Sequence, residues 1–147
     1  LDRPLRCTGS GDLRAYRRRT SIPHHYCNYR PKYRQDIVKL NAEVMGSSTA
    51  PYYGAPVVVW VLADGGASTF VEDGSCVLEN MMLAALGLVT VWMHREREIF
   101  DSEKGKALLR EWKLPETLRG VGAVALGYPA REASQPAARK QNYIVRI

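Results

Sequence analysis

The chain has 147 residues, of which 46% are hydrophobic and 24% are charged, and it contains three cysteines. This length suffices for one domain with its own core, and the composition is ordinary for a globular protein. No apolar run reaches the ~18 residues that a membrane helix needs, and an odd number of cysteines argues against a disulfide framework. The first residues, LDRPLRCTGSGDLR, lack the apolar stretch of a signal peptide, so we expect a cytoplasmic protein with no membrane partner.

Positive charge is concentrated at the start of the chain. Residues 1–34 hold nine Lys or Arg and two Asp, a net charge of +7, whereas residues 35–147 hold twelve Lys or Arg and thirteen Asp or Glu, a net charge of −1. Residues 1–31 follow neither a helical nor a strand period, so we expect an irregular basic segment there. Such an arm is compatible with salt-dependent, non-specific nucleic-acid binding. It lacks stacking aromatic residues on a defined surface, so no specific nucleic-acid partner is expected.

From residue 32 onward, apolar residues repeat at the spacing of regular elements. Ile37, Leu40 and Val44 share one helical face, and Val57–Leu62 is a continuous apolar run typical of a strand buried on both faces. Alternation of such helices and strands predicts an α+β (mixed α/β) domain with a central sheet covered by helices. The further predicted elements are the helices Phe70–Leu86 and Glu103–Trp112 and the strands Val89–Met93, Gly120–Leu126 and Tyr143–Ile147.

Two motifs that suggest ligands have simpler structural interpretations. The glycines of Gly120–Gly127 resemble a dinucleotide fingerprint, but phosphate binding requires the glycines to open a helix, and here they lie within an apolar strand. Close packing of that strand against a neighbouring layer or ligand explains them better. His24, His25, Cys7 and Cys27 lack the close ligand spacing of zinc sites, so no metal is expected.

Six segments resemble those of the short nitroreductases and occur in the same order. Each is a weak motif alone, but together they span some 115 residues, from about Tyr33 to the end of the chain. They are Leu40–Gly46, Tyr53–Pro56, Glu72–Ser75 with Asn80–Ala85, Trp92–Arg95, Phe100–Gly105, and Gly120–Gly122 up to Leu126–Ala130.

The resemblance implies a family of homodimeric FMN enzymes. These take hydride from NADH or NADPH and reduce nitroaromatics, quinones or related small-molecule acceptors. The implied fold is a nitroreductase-like three-layer sandwich. Residues 32–147 would form a partial domain of this kind, without the family's N-terminal helices, and residues 131–147 would be its C-terminal extension.

The resemblance also implies where the cofactor is held. In such proteins the segment after a Gly-Leu-Gly turn borders the flavin, and a basic pair before the last strand reaches the FMN phosphate. Arginine suits this role because its guanidinium can hold two phosphate oxygens at once. No catalytic acid or base is required, because the flavin supplies the redox chemistry. The implied cofactor-binding residues are Gly87, Leu88, Trp92, Met93, His94, Arg95, Arg139 and Lys140.

The family's N-terminal R-R-S-x-R phosphate motif is not found in its usual place. Arg18–Ile22 is similar to it but lies too close to the first predicted helix to be the same element. Two alternatives to an active FMN enzyme therefore stay open. One is a degenerate family member that keeps the shell without the cofactor, and the other is a nucleic-acid-binding module that uses the basic arm.

A shifted reading frame offers an explanation for the first part of the chain. The residues Pro23–Tyr29 are encoded by codons of the form CCN CAY CAY TAY TGY AAY TAY. Read one base later, the six codons that start inside His24 each have a pyrimidine in the middle and encode Ile, Thr, Val, Ala or Met. Most of these residues favour strands, and the nitroreductases have a strand at this place before the helix that contains Leu40. We therefore hypothesise that part of residues 1–31 is translated out of frame.

Overall fold

A computed structural model describes residues 24–28, 31–48, 52–132 and 134–141, with side chains from residue 35 onward. Four strands and four helices make up this described part. In chain order they are β1 His24–Asn28, α1 Pro31–Val44, β2 Val57–Asp64, α2 Phe70–Ala84, β3 Val89–Met93, α3 Glu96–Asp101, α4 Glu103–Glu111 and β4 Leu118–Gly127.

The four strands form one antiparallel sheet in the order β1-β2-β4-β3. The two central strands are β2 and β4, and most residues of both are buried. This explains why both read as continuous apolar runs in the sequence. The register shifts between Val61, which lies opposite Gly122, and Leu62, which lies opposite Gly120, so Val121 is the extra residue of a β-bulge.

Helices cover both faces of the sheet and divide the core into two clusters. On one face, α1, α3 and α4 bury Trp60 and Phe100, and on the other face α2 buries Val61 and Val121. The molecule is therefore a three-layer α+β sandwich, as the sequence predicted. The first cluster also contains Ile37, Leu40, Tyr52, Val58, Leu62, Met93, Ile99, Leu109, Leu118 and Ala123, and the second contains Ala63, Val77, Leu78 and Val124.

The glycines of β4 allow neighbouring layers to come close to the sheet. A Cβ atom at Gly120 would lie 2.2 Å from the backbone oxygen of Glu96 on α3, and a Cβ atom at Gly122 would lie 2.5 Å from Nε1 of Trp92. These distances are far below van der Waals contact, so neither position has room for a side chain. The close packing predicted for these glycines is present, and they lie in a strand rather than at the start of a helix.

Two short elements differ from the sequence prediction. Residues His24–Asn28 form the edge strand β1, although an irregular segment was predicted up to residue 31. Residues Glu96–Asp101 form the helix α3, which was not among the elements predicted from the sequence. Both elements depend on tertiary contacts, β1 on pairing with β2 and α3 on burying Ile99 and Phe100, and the local sequence does not reveal such contacts.

The end of α2 is less buried than its apolar pattern suggested. Leu86 is 90% exposed and Leu83 is 62% exposed. Cys76 is also exposed, because it lies on the outer side of α2 while its neighbour Val77 faces the sheet. The predicted strand Tyr143–Ile147 lies outside the described residues. No helix in the described part of the chain is long and apolar enough to cross a membrane.

Candidate functional site

An open groove lies at the end of the sheet where β3 begins and β4 ends. Its volume is about 630 Å³, within the range of sites for small organic ligands. Tyr53 and Tyr128 are 78% and 77% exposed there. The groove is lined by Tyr52–Pro56, by Val89, Val91, Ala125 and Gly127 of the sheet, and by Tyr128–Glu132 with Ser134.

The Tyr52–Pro56 loop forms one wall of this groove. The amide of Ala55 donates to the carbonyl oxygen of Tyr52 at 2.8 Å and closes a turn. Tyr53 and Gly54 have φ angles of 50° and 70°, in the left-handed region. This conformation is easy for glycine but costs energy at Tyr53, so contacts elsewhere must hold the loop in place.

The predicted cofactor-binding residues around β3 lie at both ends of that strand. Gly87 and Leu88 come just before it, next to the groove residue Val89, whereas His94 and Arg95 follow its other end. A strand of five residues spans roughly 13 Å between its first and last Cα atoms. His94 and Arg95 therefore lie across the sheet from the groove, and the structure does not bring them together with Gly87 and Leu88.

The two predicted residues inside β3 have different surroundings. Met93 is 9% exposed and packs in the core cluster beneath α1, α3 and α4. Trp92 is 36% exposed and approaches Gly122 on the α2 side of the sheet. Adjacent strand residues point to opposite faces, so one ligand on one face cannot contact both side chains.

The turn before β3 is open to an approaching ligand. Gly87 has a φ of +82°, and no atom lies within 4 Å of the place where its Cβ would be. The backbone is thus bare here, as close contact between main chain and ligand requires. A glycine turn was predicted at this position, and the structure has one.

The predicted phosphate-binding pair lies in the chain that leaves the groove. Arg139 and Lys140 are exposed, and the five residues from Ser134 to Arg139 can span at most about 17 Å. Ser134 itself lines the groove. Arg139 is thus tethered within reach of the groove, although the structure shows no contact between its side chain and the groove residues.

A buried polar network behind the groove was not found from the sequence. The hydroxyl of Tyr52 donates to Oε1 of Glu96 at 2.8 Å, and Nε1 of Trp60 donates to the Tyr52 hydroxyl at 3.4 Å. Glu96 is fully buried, and no described residue donates to its Oε2. Burial raises the pKa of Glu96 to about 7, although hydrogen bonding by Tyr52 and the Trp60 indole favours the ionised form. Burial and the nearby charge of Glu96 likewise raise the pKa of Tyr52 above its ordinary value.

The fold is shared with solved nitroreductase structures. A nitroreductase with bound FMN from Bacteroides fragilis is 25% identical with a TM-score of 0.73, and the match covers 85% of this chain and 75% of that one. A nitroreductase with bound FMN from Desulfitobacterium hafniense is 18% identical with a TM-score of 0.69 and the same coverage. An FMN-dependent nitroreductase from Clostridium difficile is 19% identical with a TM-score of 0.58, covering 82% of this chain and 76% of that one.

These matches define the class of protein: an α+β sandwich with the nitroreductase fold. No family model and no curated protein sequence matches the chain. The resemblance to the nitroreductase family that the six sequence segments carry is confirmed by the structure comparison, and the chain is nitroreductase-like. It spans three quarters of the length of the first two solved structures.

Proposed function

We propose that the chain is an FMN-dependent oxidoreductase. In this proposal it takes hydride from NADH or NADPH and reduces nitroaromatic, quinone or similar small acceptors, as a homodimer in the cytoplasm. The observation that carries the proposal is the fold, shared over 85% of this chain with a nitroreductase that holds FMN. The flavin supplies the hydride chemistry when it is bound, so the protein has to bind it, orient it and exclude water.

The residues at the start of β3 fit a flat ligand held close to the main chain. Gly87 offers an open backbone, and Val89 and Val91 give the neighbouring groove an apolar floor. Arg139 and Lys140 would hold the phosphate, since they are exposed cations on a tether that starts in the groove. Trp92, Met93, His94 and Arg95 stay a prediction from the resemblance, because they do not line the groove.

A cofactor-free shell with the same fold is the second candidate. The observation that favours it is that the predicted cofactor-binding residues lie at both ends of β3, and His94 and Arg95 do not line the groove.

The visible spectrum of the purified chain, with and without added FMN, separates the two candidates. The proposal expects a retained flavin band after gel filtration, bleached by NADH or NADPH in the absence of oxygen. A colourless protein that leaves the fluorescence of added FMN unchanged would contradict it and favour the shell. The same gel-filtration run gives the oligomeric state, for which a dimer is expected.

Charge-removing variants test the assignment of the phosphate pair. We expect Arg139→Gln to weaken FMN binding by about tenfold or more, because a hydrogen bond to a charged group contributes roughly 1.5–3 kcal/mol. Lys39→Gln removes one exposed positive charge from α1 and serves as the matched control, with unchanged affinity. Equal affinities for the two variants in an FMN fluorescence titration would remove Arg139 from the site.

A further inference from the structure

The buried carboxyl group of Glu96 accepts a hydrogen bond from Tyr52, which belongs to the Tyr52–Pro56 loop in the wall of the groove. We propose that Glu96 and Tyr52 form a proton-controlled latch: neutral Glu96 keeps the Tyr52–Pro56 loop closed, and ionised Glu96 releases it. The proposal goes beyond the proposed oxidoreductase activity. It concerns the protein without any ligand, so it can be tested whether or not FMN binds.

Tyr52 is the point at which the loop is fixed to the core. Its side chain is 2% exposed, and it is the only fully buried residue of the Tyr52–Pro56 loop. The next residue, Tyr53, is 78% exposed and has a left-handed φ of 50°. Because the loop holds an unfavourable conformation and has one buried anchor, its closure depends strongly on the contacts of Tyr52.

The contacts of Tyr52 converge on a carboxyl group that is distant in sequence. Its hydroxyl donates to Oε1 of Glu96 at 2.8 Å across 44 residues of chain, which ties the loop to the first turn of α3. Its ring packs edge-on against Trp60, with the ring centres 6.2 Å apart. The hydrogen bond by itself favours ionised Glu96, but burial of the carboxyl group opposes the charge more strongly, so the closed loop favours neutral Glu96.

The surroundings of Glu96 oppose its ionisation. Its side chain is fully buried, and its Oε2 has no donor among the described residues. On α3 itself the neighbouring charges are Glu98, which repels a negative Glu96, and Arg97, which points about 100° away around the helix axis. An ionised carboxylate that is buried with so few hydrogen-bond donors has a higher free energy than the same group in water.

Among the side chains that the structure describes, from residue 35 onward, the other elements packed around Glu96 bring no opposite charge. The titratable group that faces it from the groove side is Tyr52, and β2 contributes the neutral indole of Trp60. The β4 strand places Gly120 against the backbone of Glu96.

Ionisation therefore favours any movement that brings water to Glu96. The Tyr52–Pro56 loop is mostly exposed and reaches the carboxyl group through Tyr52, whereas β2 and β4 are held in the centre of the sheet. Release of the loop exposes Glu96 and widens the groove at the same time. Access to the groove is thus coupled to the protonation of Glu96 near neutral pH, since burial places its pKa at about 7.

Hydrogen exchange of the loop amides, followed by mass spectrometry on the full chain, tests the latch. Measurements at about pH 6 and about pH 8 bracket the pKa of about 7, and a β4 peptide corrects for the intrinsic change of exchange rate with pH. Over this range the ionised fraction of Glu96 rises roughly tenfold, so we expect loop protection to fall by up to about the same factor. The β4 peptide should keep its protection.

Three variants separate a latch from a merely flexible loop. Glu96→Gln keeps an acceptor for Tyr52 but cannot ionise, so its loop should stay protected at both pH values. Tyr52→Phe removes the hydroxyl and should leave the loop unprotected at both. Glu79→Gln, an exposed change on α2, should behave like the unaltered chain. Equal loss of protection in the unaltered chain and in Glu96→Gln would overturn the proposal, and so would a loop in Tyr52→Phe that remains protected at about pH 6.

Discussion

Replacement of Glu96 by glutamine should make the protein more stable at alkaline pH. Folding raises the pKa of this carboxyl from its ordinary value of 4.5 to about 7, mainly through burial. An acid with a raised pKa in the folded state binds its proton more tightly there. Its stability contribution is therefore complete below pH 4.5 and is lost as the pH rises towards and past 7.

The magnitude of this loss follows from the size of the pKa shift. One pKa unit corresponds to about 1.4 kcal/mol, so the full loss is roughly 3 kcal/mol above pH 7. Glutamine has nearly the same shape and stays neutral, so it avoids this cost at high pH. Opening of the Tyr52–Pro56 loop would relieve part of the cost in the unaltered chain, and roughly 3 kcal/mol is therefore the upper value.

Urea unfolding followed by circular dichroism, at about pH 5 and about pH 8.5, measures the difference. We expect Glu96→Gln to equal the unaltered chain or fall slightly below it at the lower pH, and to exceed it by roughly 1–3 kcal/mol at the higher pH. The control Glu79→Gln should follow the unaltered chain at both. A difference between Glu96→Gln and the unaltered chain that does not change with pH would refute the reasoning, because a neutral packing effect gives that result.

Further substitutions test the packing and the surface. Gly122→Ala should lower the free energy of unfolding by roughly 1–3 kcal/mol and shift the fluorescence of Trp92, because the added Cβ would lie 2.5 Å from Nε1 of that indole. The control Gly66→Ala should change the free energy of unfolding by no more than about 0.5 kcal/mol, because the atom nearest to its added Cβ would be 3.5 Å away. Asp101→Asn should lower the free energy of unfolding by less than about 1 kcal/mol at neutral pH, because the salt bridge between Asp101 and Arg119 is partly exposed. Since Arg119 lowers the pKa of Asp101, this cost should vanish at pH values well below 3.8, and a cost that persists there in urea titrations would contradict the assignment.

Much of the fold could be predicted from the sequence because hydrophobic periodicity marks buried elements. The strands β2 and β4 are continuous apolar runs in the sequence, and both were predicted. Ser102 caps the predicted helix α4 by accepting a hydrogen bond from the amide of Gly105 at 3.1 Å. The helix α3 was not predicted, because its charged residues are typical of an exposed segment although Ile99 and Phe100 are fully buried.

The candidate site could be predicted only in part, for a related reason. The glycine turn at Gly87 is a local signal, and it was found. Glu96 was not singled out from the sequence, since its hydrogen-bond partner Tyr52 lies 44 residues away and comes close only in the folded chain. The separation of Gly87 from His94 by the length of β3 likewise depends on the strand being extended, and the order of residues does not show it.

The strand β1 bears on the hypothesis of a shifted reading frame. It pairs with β2 along its whole length, from His24 opposite Leu62 to Asn28 opposite Val58, and those β2 residues are all buried and apolar. A strand beside them is expected to be rich in β-branched residues, which the shifted frame supplies at the same positions and the present frame does not. The position of β1 is compatible with the hypothesis, which stays a prediction, and the coding DNA tests it directly. We expect the shifted frame to be open and to encode mainly Ile, Thr and Val across this stretch. A stop codon there, or a polar product, would mean that the basic segment belongs to the protein and that the edge of its sheet is genuinely built from His, Tyr, Cys and Asn.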